Sequence, residues 1–214
     1  MKPTLKEISG QSLLLGLAIW LLLKRTKLGE GIPLLGPLAF PLIVPSNASE
    51  VIPVIEEEID PLYRHYVAAT AWQESNFNHI EPGTADTVWI GGAGEIGLCQ
   101  ILPATGAGLG FSIEDLKDIR KNMKACELYF REAENSWNGW YDGLTDELRQ
   151  QWGVPFSVYE LARYYNGGPR VVPQPGTLTQ THPNLSTVYA DQWLRRYLAL
   201  DEYYIDFVVD GGFI

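Results

Sequence analysis

Ala71-Trp72-Gln73-Glu74-Ser75-Asn76-Phe77 sets a glutamate at the end of a stretch whose apolar residues recur with helical spacing. Upstream, Asp60-Pro61 carries the signature of a helix start, an N-cap acceptor followed by a proline whose missing N–H costs nothing in the first turn. Leu62, Tyr66, Ala69 and Gln73 keep the spacing and predict a helix to about Glu74–Asn76. A carboxylate there meets the negative pole of the helix dipole, and burial beside Trp72 and Phe77 disfavours its charge as well. Both effects raise its pKa, which is what a general acid working near neutrality requires.

Downstream, the predicted elements are nearly all helical. Glu81 to Ala93 reads as a loop, and Ser112-Ile113-Glu114-Asp115 as a capping box with aspartate in place of the usual glutamate. Ile119, Met123, Cys126 and Phe130 then form an apolar helical stripe. Asn135 to Trp152 is polar and Trp-rich, a loop or a short inserted helix. Ser157 caps a helix with Val158, Leu161, Ala162 and Tyr165 facing inward, stopped by Asn166-Gly167-Gly168-Pro169. A last helix from about Ser186 sets Tyr189, Trp193, Tyr197 and Leu200 on one side. No pair of alternating runs makes a sheet, so the fold class is mainly α.

Charge narrows the partners. The chain has 214 residues and a formal charge of -10, but residues 1–45 carry five basic and two acidic side chains, a net of +3, leaving -13 for the remainder. Such an acidic body repels phosphate backbones, and nucleic acid is not an expected partner. The seven Trp and eleven Tyr suit a carbohydrate groove and equally a small core. Cys99 and Cys126 read as buried free thiols, and neither they nor His65, His79 and His182 have metal-ligand spacing, so no metal or cofactor is expected.

The N-terminus reads as a membrane-seeking segment. Ser12 to Leu23 is SLLLGLAIWLLL, followed by Lys24, Arg25 and Lys27. Its apolar run is shorter than the ~20 residues of a full span but approaches that length if extended back to Ile8. An uncleaved anchor over residues 1–27 is favoured over a signal peptide, because the basic cluster falls where cleavage should occur. Residues 28–58 follow as a segment with Pro33, Pro37, Pro41 and Pro45, which no continuous helix tolerates, and then a polar, solvated linker over 46–58. The folded domain is expected over 59–203, with a tail over 204–214.

Three blocks now stand in order: Glu74-Ser75 with Phe77, then Gly97-Leu98-Cys99-Gln100 with Pro103 and Thr105, then Tyr165-Asn166 with Gly168-Pro169. Together they resemble the lytic transglycosylase domain of the soluble lytic transglycosylase and goose-type lysozyme group, over roughly Ile59 to Leu200. The resemblance implies a lysozyme-like helical domain with a substrate groove. It also implies peptidoglycan glycan strands as substrate and Glu74 as sole acid/base, cleaving the bond between N-acetylmuramic acid and N-acetylglucosamine with closure of a 1,6-anhydro ring. By the same resemblance Ser75 orients Glu74 or the substrate's N-acetyl group, with a helix-end hydrogen bond as its structural alternative. Gln100 bonds sugar, Tyr165 contacts or polarises Glu74, and Asn166 fixes the turn beside it. Gly97 permits close approach of substrate, and Asn122 is structural.

The departures bear on mechanism. Glu74 and Gln100 are 26 positions apart, which places an insertion between Glu81 and Ile90, and Cys99 stands where the family commonly has Met. Glu95 occupies a position usually held by Ala. Most glycosidases use two carboxylates, so Glu95 or Asp86 facing Glu74 would permit hydrolysis by a muramidase route; the alternative is that Glu95 pairs with a cation such as Arg163. A non-catalytic wall-binding component is a further reading. A membrane-associated enzyme acting in the periplasm or cell envelope would fit a bacteriophage particle or a secretion or conjugation apparatus, with virion or apparatus proteins as partners.

Overall fold

The computed structural model of the chain describes residues 42–210, with side chains as far as Leu200. The expected anchor over 1–27 and the proline-spaced stretch to Pro41 lie outside the described residues; among those described, no helix is long and apolar enough to cross a membrane.

Eight helices make up the described part: α1 Ala48–Glu58, α2 Arg64–Ser75, α3 Pro103–Gly108, α4 Ile113–Leu116, α5 Ile119–Asp142, α6 Asp146–Trp152, α7 Val158–Gly167 and α8 Thr187–Asp210, with a 3₁₀ turn at Gly168–Val171 between the last two. The described residues contain no strand beyond the isolated antiparallel bridges Ile80–Val88, Ile90–Ile96 and Ile96–Ile101. The fold is mainly α, as its periodicity predicts.

The long helix α5 is the spine. Met123, Cys126, Phe130, Ala133 and Trp137 are fully buried along it, which extends the predicted stripe by two turns. Asp118 caps its start by accepting from the Lys121 N–H, and the predicted capping box forms at α4, with Ser112 and Asp115 each accepting from the other's backbone. Around the spine pack α1, α2 and α7, while α8 lies against α2 and α7. Phe130 stacks on Tyr165 of α7 at 5.1 Å between ring centroids and approaches Trp193 of α8 at 6.2 Å, so three helices meet on one aromatic column.

Four local expectations change. Residues 46–58 are not a solvated linker: Ala48, Val51, Ile52 and Ile55 lie on one face of α1 and are buried in the core, and burying such a stripe outweighs the backbone hydrogen bond lost at Pro53. Asp60-Pro61 shapes a turn before α2, where Asp60 accepts from the Leu62 N–H and Leu62 is 78 % exposed. The stretch from Asn135 completes α5 and, after a short break, forms α6; Trp140 meets Trp152 edge-on at 4.8 Å and closes this corner. Finally, α8 continues to Asp210, into residues expected as a tail.

Candidate active site

Glu74 is the penultimate residue of α2, and the helix ends at once beyond it because Asn76 turns left-handed, with φ 54°. Phe77 also has positive φ and is buried against Trp72. The chain reversal leaves Glu74 half-buried at the helix end. Its carboxyl is pushed up to about 7: burial is the main cause, the negative charge of Glu95 adds to it, and a hydrogen bond from Tyr189 with the charge of Arg196 opposes it.

Tyr189 donates to Glu74 Oε1 at 2.6 Å. Burial, and next the charge of Glu74, hold the Tyr189 hydroxyl well above the ordinary phenol range, so it remains a donor. In the sequence this tyrosine looked like one more member of the inward stripe of the last helix. The α2–α8 contact that delivers it also joins Gln73 to Gln192 at 3.1 Å and Trp193 to Thr70 at 2.9 Å.

The 96–100 loop is positioned from below. Asn122 accepts from the Cys99 N–H and donates to the carbonyls of Ile96 and Leu116, each at 2.9 Å. His79 accepts from the Leu98 N–H through Nδ1 and bonds the Lys117 carbonyl through Nε2. Gly97 has φ 71°, and a Cβ there would sit 2.7 Å from the His79 ring and 2.9 Å from the Asn122 carboxamide. This packing by itself requires glycine at position 97. Asn122 is structural, as expected.

The other expected residues are distributed unevenly. Tyr165 lies within electrostatic reach of Glu74 but donates its hydroxyl bond to the Cys99 carbonyl at 2.7 Å, tying α7 to the loop. Gln100 adopts φ 47°, and its Nε2 donates to the Gly97 carbonyl at 2.7 Å. Glu95 accepts from the Ala93 N–H at 2.9 Å; Arg163 is committed instead to Gln180 and to the carbonyls of His182, Pro183 and Leu185, so the expected Glu95–Arg163 pair does not form. A Cβ on Gly91 would overlap both Gln100 Oε1 and Glu95 Oε2, at 2.3 and 2.5 Å. The absent side chain is what lets amide and carboxylate converge. Ser75 bonds back to the Ala71 carbonyl, its structural alternative. Asn166 is exposed and accepts from Ser186, while Asp86 is exposed in the 81–87 stretch. Cys99 and Cys126 are buried free thiols.

The family model for the transglycosylase SLT domain matches residues 56–186. The chain belongs to the transglycosylase SLT family. Membership brings a lytic-transglycosylase-type function directed at peptidoglycan. No curated protein and no solved structure matches the chain. The SLT match ends three residues before Tyr189, so the only hydrogen-bond donor to the Glu74 carboxylate among the described residues comes from outside the matched stretch.

Proposed function

We propose that this SLT domain cleaves the β-1,4 bond between N-acetylmuramic acid and N-acetylglucosamine with Glu74 as sole acid/base. The reading rests on one observation above others: a carboxyl raised to about 7 by burial at a helix end, held by a neutral tyrosine at 2.6 Å. Protonated Glu74 gives its proton to the bridging oxygen as the muramyl C1–O bond breaks and its electron pair goes to that oxygen. The resulting carboxylate takes the proton of the muramyl C6 hydroxyl while O6 bonds to C1. The 1,6-anhydro ring closes, Glu74 ends protonated again, and no water is consumed. Tyr189 steadies the carboxylate between the two transfers.

A hydrolytic second reading is favoured by Glu95, whose charge reaches Glu74 and whose carboxylate converges with Gln100. Product analysis of sacculi digested by the purified protein separates the two. Anhydro-muropeptides are expected; reducing ends alone would replace the transglycosylase by a muramidase, and no release from folded protein would leave a wall-binding component. We place the reaction in the cell envelope, where the polymer lies, and assign membrane attachment to residues 1–27 on their apolar run; fractionation of the full chain against one lacking those residues checks this.

A further inference from the structure

A concavity of about 700 Å³ opens where α7 ends, between the last turns of α5, the 3₁₀ turn and the 172–182 loop; Glu74, Gln100 and Tyr165 are not among its walls. Trp140, Pro169, Pro173 and Pro175 give it apolar faces, and Arg170 and His182 stand among its polar groups. Its position relative to the reaction centre follows from a chain of neighbours: a Cβ on Gly168 would lie 3.7 Å from the Tyr129 hydroxyl, and the Tyr129 ring meets Tyr165 at 5.4 Å. The C-terminal end of α7 therefore serves both.

The cleft is built in advance of any occupant. Arg163, itself buried, donates to four acceptors along Gln180–Leu185 at 2.9–3.1 Å and so fixes the strand of chain that carries His182. Gln174 closes the opposite arm through Thr179 and Thr181, and Trp140 Nε1 donates to the Thr177 carbonyl at 2.9 Å. Prolines and these bonds leave little ordering for a ligand to impose. Arg170, by contrast, is exposed and makes only a 3.4 Å bond to the Gly167 carbonyl, with no carboxylate partner among the described residues.

Charge identifies the occupant. A body of net -13 outside residues 1–45 repels a polymer that itself carries carboxylates, so an uncommitted arginine in a formed cleft contributes most against an acidic group. We propose that this cleft is a subsite for the acidic peptide borne by the glycan strand: Arg170 takes a peptide carboxylate, His182 hydrogen-bonds beside it, and Trp140 with the prolines covers the aliphatic portions. The assignment rests on the peptidoglycan-cleaving reading above.

The test compares sacculi with sacculi stripped of peptide by an amidase, using the full chain and reading both cosedimentation and KM. The wild type is expected to favour peptide-bearing strands by about tenfold in KM, a preference eroded by salt. Arg170→Gln should bring the ratio of the two KM values to about one, and Arg170→Lys should restore part of it, with circular dichroism reporting the fold. An equal loss on both substrates would make the cleft a sugar subsite, and no wild-type preference would make it a surface for an acidic protein; either overturns the proposal. Binding and product chemistry fail separately: anhydro products without peptide preference sink the cleft alone, whereas peptide-dependent binding without anhydro products sinks the transglycosylase reading alone.

Discussion

Asn122 and Glu74 are both polar groups in an apolar setting beside the 96–100 loop, and they are treated in opposite ways. The Asn122 carboxamide is fully buried and makes three bonds of 2.9 Å, and His79 next to it bonds through both ring nitrogens, with burial holding its pKa down and the ring neutral. Glu74 receives one side-chain hydrogen bond and keeps a proton affinity far from that of a solvated glutamate. A saturated network fixes geometry because each lost bond would orphan a buried partner. An under-partnered carboxyl keeps its proton exchangeable, which is the property catalysis uses.

The largest test of that contrast is Glu74→Gln. Sacculus cleavage should fall by about 10²–10⁴-fold, while the protein becomes more stable at high pH. The sign follows from the raised pKa: between 4.5 and about 7 the unfolded chain loses this proton before the folded one does, so wild-type stability falls as pH rises through that window. At pH 8 the substitution should recover about 2–3 kcal/mol, and at pH 4 almost nothing. Thermal melts at the two pH values check this. Asn122→Ala should do the reverse, costing about 2–3 kcal/mol at either pH by taking their side-chain partner from the buried Cys99 N–H and Leu116 carbonyl, while the Ile96 carbonyl keeps the Ile101 N–H. Urea unfolding measures it, and a loss below about 1 kcal/mol would mean the loop is held by its other contacts.

The same contrast explains what could be read from sequence. Glu74 was legible because a local pattern, a helix stop after an apolar face, carries its chemistry, and Asn122 because it falls in a family pattern. Tyr189 was not: it shares its spacing with Trp193, Tyr197 and Leu200, and only the packing of α8 on α2, 115 positions away in sequence, distinguishes a proton-holding tyrosine from a core one. Residues 46–58 misled for a compositional reason. Ala48, Val51, Ile52 and Ile55 follow the i, i+3, i+4, i+7 pattern, but Pro53 and the run Glu56–Glu58 outweigh it in a reading by composition. Glu95 could be flagged as a departure, yet its company depended on Gly91, whose missing side chain makes room for it.

Smaller effects separate the two neighbours of Glu74. Tyr189→Phe removes a bond that favours the carboxylate, so the alkaline limb of kcat/KM should move to higher pH, with less than about a tenfold change at pH 6. An unmoved limb would mean the phenol does not hold the acid during turnover.

Glu95→Gln should move the limb the other way and by less, because the repulsion it relieves is a weaker influence on Glu74 than the Tyr189 bond. With the charge gone, the Glu74 proton leaves at lower pH, and the acid-competent fraction at pH 7 declines modestly. The product should still be the anhydro sugar, since on the proposed route Glu74 alone takes the proton of the muramyl C6 hydroxyl as O6 bonds to C1. If Glu95 were instead the base that activates water, the same substitution would cost about 10²-fold or more at every pH rather than shift a limb. One residue and two readouts, the position of the limb and the identity of the reducing end, therefore distinguish a carboxylate that tunes its neighbour from one that shares the chemistry.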